Sequence, residues 1–214
     1  MKFRSPVLLV GAAPVSESLL ELVKGEFRHV VAADGGVQAI ARFGLEPDAI
    51  IGDMDSTPPE YRQKYQSVLH SIAEQDSTDF EKCLSRIKAP LLIGIGFLGG
   101  RLDHELAALN ALVKSPQALL LVGEADLVFR LPESLDLSLP PGTRISFFPM
   151  GEVRGIRSEG LEWPLEGLLL SPARNISISN RSTARRISLR NPGQPLLCIL
   201  PREHLAVTLR CFNL

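Results

Sequence analysis

IIGDMDS, residues 50–56, is the stretch on which the reading of this chain turns. Two β-branched residues and a glycine form the end of a buried strand, and two aspartates then stand two apart around Met54. Like charges at that spacing repel, and burying either one is costly unless something compensates it. A polar loop with an Asx turn is the plain explanation. A divalent cation between the carboxylates is the other. An open parallel sheet binds its ligands beyond the carboxyl ends of its strands, so the neighbouring segments decide between the two.

Working outward, strand and helix patterns alternate. Apolar runs at residues 7–10, 29–33, 49–52, 67–73, 91–95 and 118–122 read as strands. Between them, residues 16–24, 36–43, 58–65, 79–87 and 102–113 read as helices, with Ser16 as an N-cap and Gly25 and Gly44 as stops. This alternation predicts a parallel sheet flanked by helices, a Rossmann-like α/β fold. Around Leu131 the character changes. LPESLDLSLPPGTR, residues 131–144, is rich in Pro and turn residues, and short alternating runs follow at 144–148, 168–170, 175–179, 184–189 and 196–200. No long helical pattern occurs there. The expectation is two domains, an α/β domain over residues 1–130 and an all-β sandwich or barrel over residues 131–214.

The 214 residues allow a sizeable core, and the formal net charge of -1 speaks against nucleic acid as a partner. No apolar run approaches the roughly 20 residues of a membrane span. The N-terminal run that resembles a signal peptide contains Gly11 and Pro14 and reads better as a first strand and turn. Cys83, Cys198 and Cys211 form no paired motif, which fits buried thiols and a cytoplasmic location.

The acids collect at one edge. Asp34 follows the second strand, Asp53 and Asp55 the third, Asp76 and Asp79 the fourth, and Asp103 the fifth, with Arg101 as the main nearby cation. Each has an ordinary explanation: Asp34-Gly-Gly as a turn, Asp76 and Asp79 as a capping box, Asp103 as an N-cap, His104 as a partly buried helix residue. Those explanations do not account for acids at every one of these strand ends. Mg²⁺, which favours a few carboxylates together with substrate phosphates, does. GIGFLG, residues 94–99, matches a dinucleotide fingerprint. It comes late in the domain, though, and ahead of an acid that would repel phosphate, so its glycines read as places of close backbone approach.

Taken together, ADGG (33–36), PDAIIGDMDS (47–56), QDSTDFEKCL (75–84), GGRLDHELAALN (99–110), GLEWPLEG (160–167) and SISN (177–180) resemble the thiamine pyrophosphokinase family. The resemblance implies an α/β domain followed by a β-sandwich, and transfer of pyrophosphate from ATP to the hydroxyl of thiamine with release of AMP. It implies Mg²⁺ held by Asp53, Asp55 and Asp79, with Asp34 close by and Asp79 also able to accept the alcohol proton. Arg101 would neutralise phosphate, Asp103 and His104 would organise its loop, and Gln75 and Thr78 would lie beside the reacting groups. Trp163, Ser179 and Asn180 would hold thiamine, supplied by the partner subunit of a homodimer with shared sites. The chain departs from the family in having Val37 and Gln38 where Asn is common after ADGGA, and Met54 in place of a bulkier apolar residue.

The rival readings are a metal-dependent glycosyltransferase built on the D-x-D motif, a non-catalytic nucleotide- or thiamine-binding module, and, more distantly, a dehydrogenase. The glycosyltransferase would not predict QDSTD, GGRLDH and GLEWPL together, a binding module would tolerate Asp79→Asn with little loss of affinity and release no AMP, and the dehydrogenase rests on the GxGxxG match alone.

Overall fold

The structure is a computed structural model that describes residues 1–212. The chain divides into two compact units, Met1–Glu124 and Ala125–Leu214.

The first unit alternates as expected: β1 (Val7–Val10), α1 (Glu17–Val23), β2 (His29–Ala33), α2 (Val37–Arg42), β3 (Ala49–Gly52), α3 (Pro59–Lys64), β4 (Leu69–Ser71), α4 (Asp79–Arg86), β5 (Leu92–Ile95), α5 (Leu102–Lys114) and β6 (Leu119–Val122). The strands lie in the order β6-β5-β1-β2-β3-β4, and every pairing among them is parallel. β1, β3, β5 and β6 are buried along their whole length. That is why they read as continuous apolar runs rather than alternating ones, for helices cover both faces of such a sheet. β4 is shorter than the expected 67–73. It pairs only with β3, and Gln66–Val68 turns into a 3-10 helix instead. Ser16 caps α1 as expected, its hydroxyl accepting the Leu19 N–H at 3.1 Å.

The second unit holds β7 (Asp126–Arg130), β8 (Ser134–Ser138), β9 (Arg144–Pro149), β10 (Arg157–Glu159), β11 (Ser177–Arg181), β12 (Arg186–Arg190), β13 (Leu196–Pro201) and the short α6 (Leu205–Leu209). Its strands pair antiparallel in the orders β11-β9-β13-β7 and β10-β12-β8. Phe129, Phe147, Leu135, Leu137, Ile187 and Leu189 are among its buried side chains. Three local readings need correction. β7 belongs to this unit, because Asp126–Arg130 pairs with β13. The SLDLS segment, read as part of a turn-rich connection, is β8: Leu135 and Leu137 point inward, and Ser134, Asp136 and Ser138 outward. Residues 168–170 form no strand; only Leu170 bridges, to Val153 and Asn175.

Candidate active site

Of the acids expected beyond the strand ends, Asp53, Asp55, Asp76 and Asp79 line a cleft of about 760 Å³ in the first unit. β3 carries the chain into it and stops at Gly52. Met54 then adopts a left-handed backbone, φ 72°, and is 6% exposed. A non-glycine residue seldom takes that conformation. Here it turns the methionine into the protein while Asp53 and Asp55 on either side line the cleft. The Asx turn is present as well: Asp53 Oδ1 accepts the Asp55 N–H at 3.1 Å. It occupies only that oxygen. Asp53 Oδ2 accepts from Gln75 Nε2 at 3.0 Å and lies 3.6 Å from Lys82 Nζ. The Asp55 N–H, the Gln75 amide and the Lys82 charge hold the Asp53 carboxyl below the usual range against the opposing effect of burial.

Asp34 joins the pair from the end of β2. It too is left-handed, φ 39°, and is 1% exposed. Its carboxylate accepts the Ser56 N–H at 3.0 Å and the Thr57 hydroxyl, so the GDMDS loop is fastened to the ADGG turn. Burial nonetheless pushes its pKa up, outweighing those two hydrogen bonds. One oxygen from each of Asp34, Asp53 and Asp55 can be chosen so that all three lie within 4.8 Å of one another. Hard carboxylate oxygens in such proximity fit a divalent cation that prefers oxygen ligands. Gly52 makes the approach feasible: a Cβ there would lie 2.6 Å from Asp34 Cβ and 3.0 Å from Asp79 Oδ1.

Asp79 opens α4, but it is not the cap. Thr78 caps the helix in a reciprocal box with Glu81: the Thr78 hydroxyl accepts the Glu81 N–H at 3.3 Å, and Glu81 Oε2 accepts the Thr78 N–H at 3.0 Å. The capping roles considered for Asp76 and Asp79 are thereby taken by other residues. Asp79 Oδ1 faces Lys82 Nζ at 3.2 Å, and Asp79, Gln75, Thr78 and His104 all line the cleft. Asp103 is no cap either, since the N-cap position of α5 is Arg101, without a side-chain cap bond. Asp103 instead takes the Arg101 guanidinium in a two-pronged pair, Nη2–Oδ2 2.6 Å and Nε–Oδ1 3.1 Å, with both side chains largely exposed. The Arg101 hydrogen bond holds the Asp103 carboxyl below its ordinary range.

In the second unit Trp163 is 52% exposed and Asn180 is 1% exposed. Asn180 Oδ1 accepts the N–H groups of Trp163 (3.2 Å) and Arg181 (2.8 Å), and Nδ2 donates to the Trp163 carbonyl (2.7 Å) and Ser177 Oγ (3.2 Å). All four hydrogen-bonding positions of that amide are occupied within the chain. Ser179 is left-handed, φ 55°, at an irregularity of β11, and its N–H donates to Ser146 Oγ at 2.9 Å.

Two residues that shape the site were not singled out from the sequence, Gly52 and Lys82. Lys82 is 3% exposed and sits between Asp53 and Asp79. Burial works against its charge, but the two aspartates outweigh that and raise its pKa above the usual lysine value. The signal was present: Lys82 falls on the buried side of an amphipathic helix with Phe80 and Cys83, where an uncompensated lysine does not belong.

Fold and cleft define an α/β protein with a carboxylate site suited to a divalent cation, followed by an antiparallel β unit. Residues 21–121 match the family described as "Thiamin pyrophosphokinase, catalytic domain", and residues 129–192 match "Thiamin pyrophosphokinase, vitamin B1 binding domain". Thiamine pyrophosphokinase 2 of Oryza sativa subsp. japonica is 32% identical over 93% of this chain and 89% of its own length. Thiamin pyrophosphokinase 1 of Caenorhabditis elegans is 28% identical over 80% of this chain and 79% of its own. Among solved structures, thiamin pyrophosphokinase from Candida albicans superposes with a TM-score of 0.77 at 16% identity, over 94% of this chain and 92% of its own. The Geobacillus thermodenitrificans enzyme does so with 0.75 at 22%, over 92% and 96%. The chain belongs to the thiamin pyrophosphokinase family.

Proposed function

We propose that this chain transfers the terminal pyrophosphoryl group of ATP to the hydroxyethyl oxygen of thiamine, giving thiamine diphosphate and AMP. Family membership supports the reaction, and the observation that carries the site is the convergence of Asp34, Asp53 and Asp55 beside Asp79 at the carboxyl edge of the sheet. The alcohol oxygen forms a bond to the β-phosphorus, the bond from that phosphorus to the AMP oxygen breaks, and the alcohol proton leaves to a base. Asp79 is suited to take it, with one oxygen on Lys82 and the side chain 31% exposed in the cleft. The resemblance gives Asp53, Asp55 and Asp79 as the holders of Mg²⁺; the proximity of the oxygens favours Asp34 for the third place. When bound, the ion supplies charge neutralisation at the pyrophosphoryl oxygens. Gln75 and Thr78 fix the walls around the reacting groups, and Arg101, steadied by Asp103, meets phosphate at the α5 end beside His104.

In this reading the first domain binds ATP and Mg²⁺ and the second binds thiamine and dimerises, Trp163 offering a flat π face to a cationic aromatic substrate. A homodimer would share its sites, the acids coming from one chain and the tryptophan from the other. The buried Cys83 and Cys198 thiols suit work in the cytoplasm, and no helix among the described residues is long and apolar enough to cross a membrane. The test is to incubate the protein with Mg·ATP and thiamine and to separate the products. AMP and thiamine diphosphate in equal amounts are expected; ADP with thiamine monophosphate, or no turnover, would refute the reading.

A further inference from the structure

We propose that Ser158 and Glu166 are positioning residues for Trp163, a side-chain clamp that fastens the far end of the GLEWPLEG loop and sets the pose in which the indole meets a cationic aromatic substrate. The inference rests on the reading of Trp163 as the thiamine face. The loop is anchored unevenly. Its first half is held by main chain and by Asn180: the Gly160 carbonyl accepts the Thr183 N–H at 2.8 Å, the Glu162 N–H donates to the Arg181 carbonyl at 2.8 Å, and Asn180 takes both backbone groups of Trp163. Beyond Trp163, Pro164 has no N–H to give. The main-chain bond there, among the described residues, runs from the Leu168 N–H to the Leu165 carbonyl at 3.3 Å, which closes a turn and ties the loop to nothing outside it. Side chains do that work instead. The Ser158 hydroxyl on β10 accepts the Leu165 N–H at 2.9 Å and donates to Glu166 Oε2 at 2.8 Å, while Glu166 Oε1 accepts the Ser158 N–H. An ionised carboxylate, acceptor at both oxygens, suits that double role. Burial pushes the Glu166 carboxyl up, but the two Ser158 bonds outweigh it and hold the group below the usual glutamate range. Leu161 and Leu165 are 7% and 1% exposed, Trp163 52%. The two leucines turn inward and the tryptophan between them outward, so the direction of the indole follows from how the backbone is held on each side of it. Asn180 holds one side and the clamp the other. Glu166 lies at the surface, where such bonds add little net stability, and their effect falls on the geometry of the loop.

The test compares wild type with Ser158→Ala, Glu166→Ala, the double alanine variant and Ser158→Thr, which keeps the hydroxyl. Emission and iodide quenching of the sole tryptophan are read on the full chain without substrate, followed by melts and steady-state kinetics with Mg·ATP and thiamine. Both alanine variants should shift the emission and alter the quenching. Their KM for thiamine should rise about three- to tenfold, while KM for ATP and kcat at saturating thiamine stay within about twofold, the pattern of lost uniform binding of one substrate. The double variant should be no worse than either single one, because the two residues act as one unit, and Ser158→Thr should bring emission and thiamine KM back towards wild type. Unchanged emission in both alanine variants would overturn the proposal. So would additive losses in the double variant, or a fall in kcat and a rise in both KM values in step with the melting temperature, which would mark the pair as merely structural. If Glu166→Ala does not fold, the contrast between Ser158→Ala and Ser158→Thr decides, and a Ser158→Ala protein that is also unfolded refutes the clamp as a positioning device. Because emission is read without substrate, a failed clamp is distinguishable from a failed function: no AMP from the wild type, or an unchanged thiamine KM in Trp163→Ala, would remove the thiamine reading while the emission still decides whether Ser158 and Glu166 set the pose of Trp163.

Discussion

The Asn180 side chain grips the Trp163 backbone from both directions: its oxygen accepts the tryptophan N–H at 3.2 Å and its nitrogen donates to the tryptophan carbonyl at 2.7 Å. The indole is left half in solvent while its main chain is fixed to β11. Asn180→Ala removes both contacts and leaves two backbone groups in a tight loop without their partner, a loss of about 1–3 kcal/mol. The expected result is a lower melting temperature, a shifted emission maximum from the chain's only tryptophan, and a raised KM for thiamine with little change in KM for ATP. An unchanged emission spectrum and thiamine KM would show that the loop holds its shape without Asn180.

Capping and chemistry separate cleanly at the start of α4. Thr78→Ala breaks the reciprocal box with Glu81 and should cost about 1 kcal/mol, a melting shift of roughly 2–4 °C. Asp79→Asn leaves that box intact. It is expected to abolish most turnover while moving the melting temperature less than Thr78→Ala does when both are measured with Mg²⁺ present. The reverse ranking of stability losses would return Asp79 to a structural role.

For the metal, turnover should vanish in EDTA and return on adding Mg²⁺. Asp53→Ala and Asp55→Ala should each be folded and inactive, and Asp34→Ala inactive and less stable, because Ser56 and Thr57 lose the carboxylate that fastens their loop. Circular dichroism melts alongside an AMP-release assay check this. Full activity in either Asp53→Ala or Asp55→Ala would remove the carboxylate pair from the mechanism.

The α/β fold and the acidic edge were legible because both are written in local sequence. Buried parallel strands are plain apolar runs, and a ligand edge gathers acids just after them. What was less legible depended on backbone conformation or on partners distant in sequence. Met54 and Asp34 work by being left-handed, which no residue type announces unless it is glycine. Gly52 matters because Asp34 and Asp79 close in from other strands and helices. β8 was hidden by its neighbours: SLDLS alternates perfectly well, but prolines on both sides made the segment look like a connection. Asn180 was read as a thiamine contact from the resemblance that SISN carries; that its amide also engages Trp163, Arg181 and Ser177 depends on neighbours the local sequence does not show.

The shared site of the proposed homodimer can be tested without a structure of the dimer. Asp55→Ala damages the acid cleft and Trp163→Ala the thiamine face, so each variant alone should be inactive or nearly so at low thiamine. The two are denatured and refolded together so that subunits exchange. Random pairing of equal amounts makes about half of the dimers mixed, as two-fold symmetric assembly requires. If each site takes its acids from one chain and its tryptophan from the other, a mixed dimer has one site with both lesions and one with neither. About a quarter of wild-type activity should then return, half of the dimers each carrying one good site of two. If every site were built within a single chain, each site in the mixture would carry one lesion and nothing would return. Recovery near a quarter, with mixed dimers demonstrated by differential tagging, is the expected outcome. Absence of recovery despite mixed dimers would place Trp163 in the same chain's site or remove it from thiamine binding altogether.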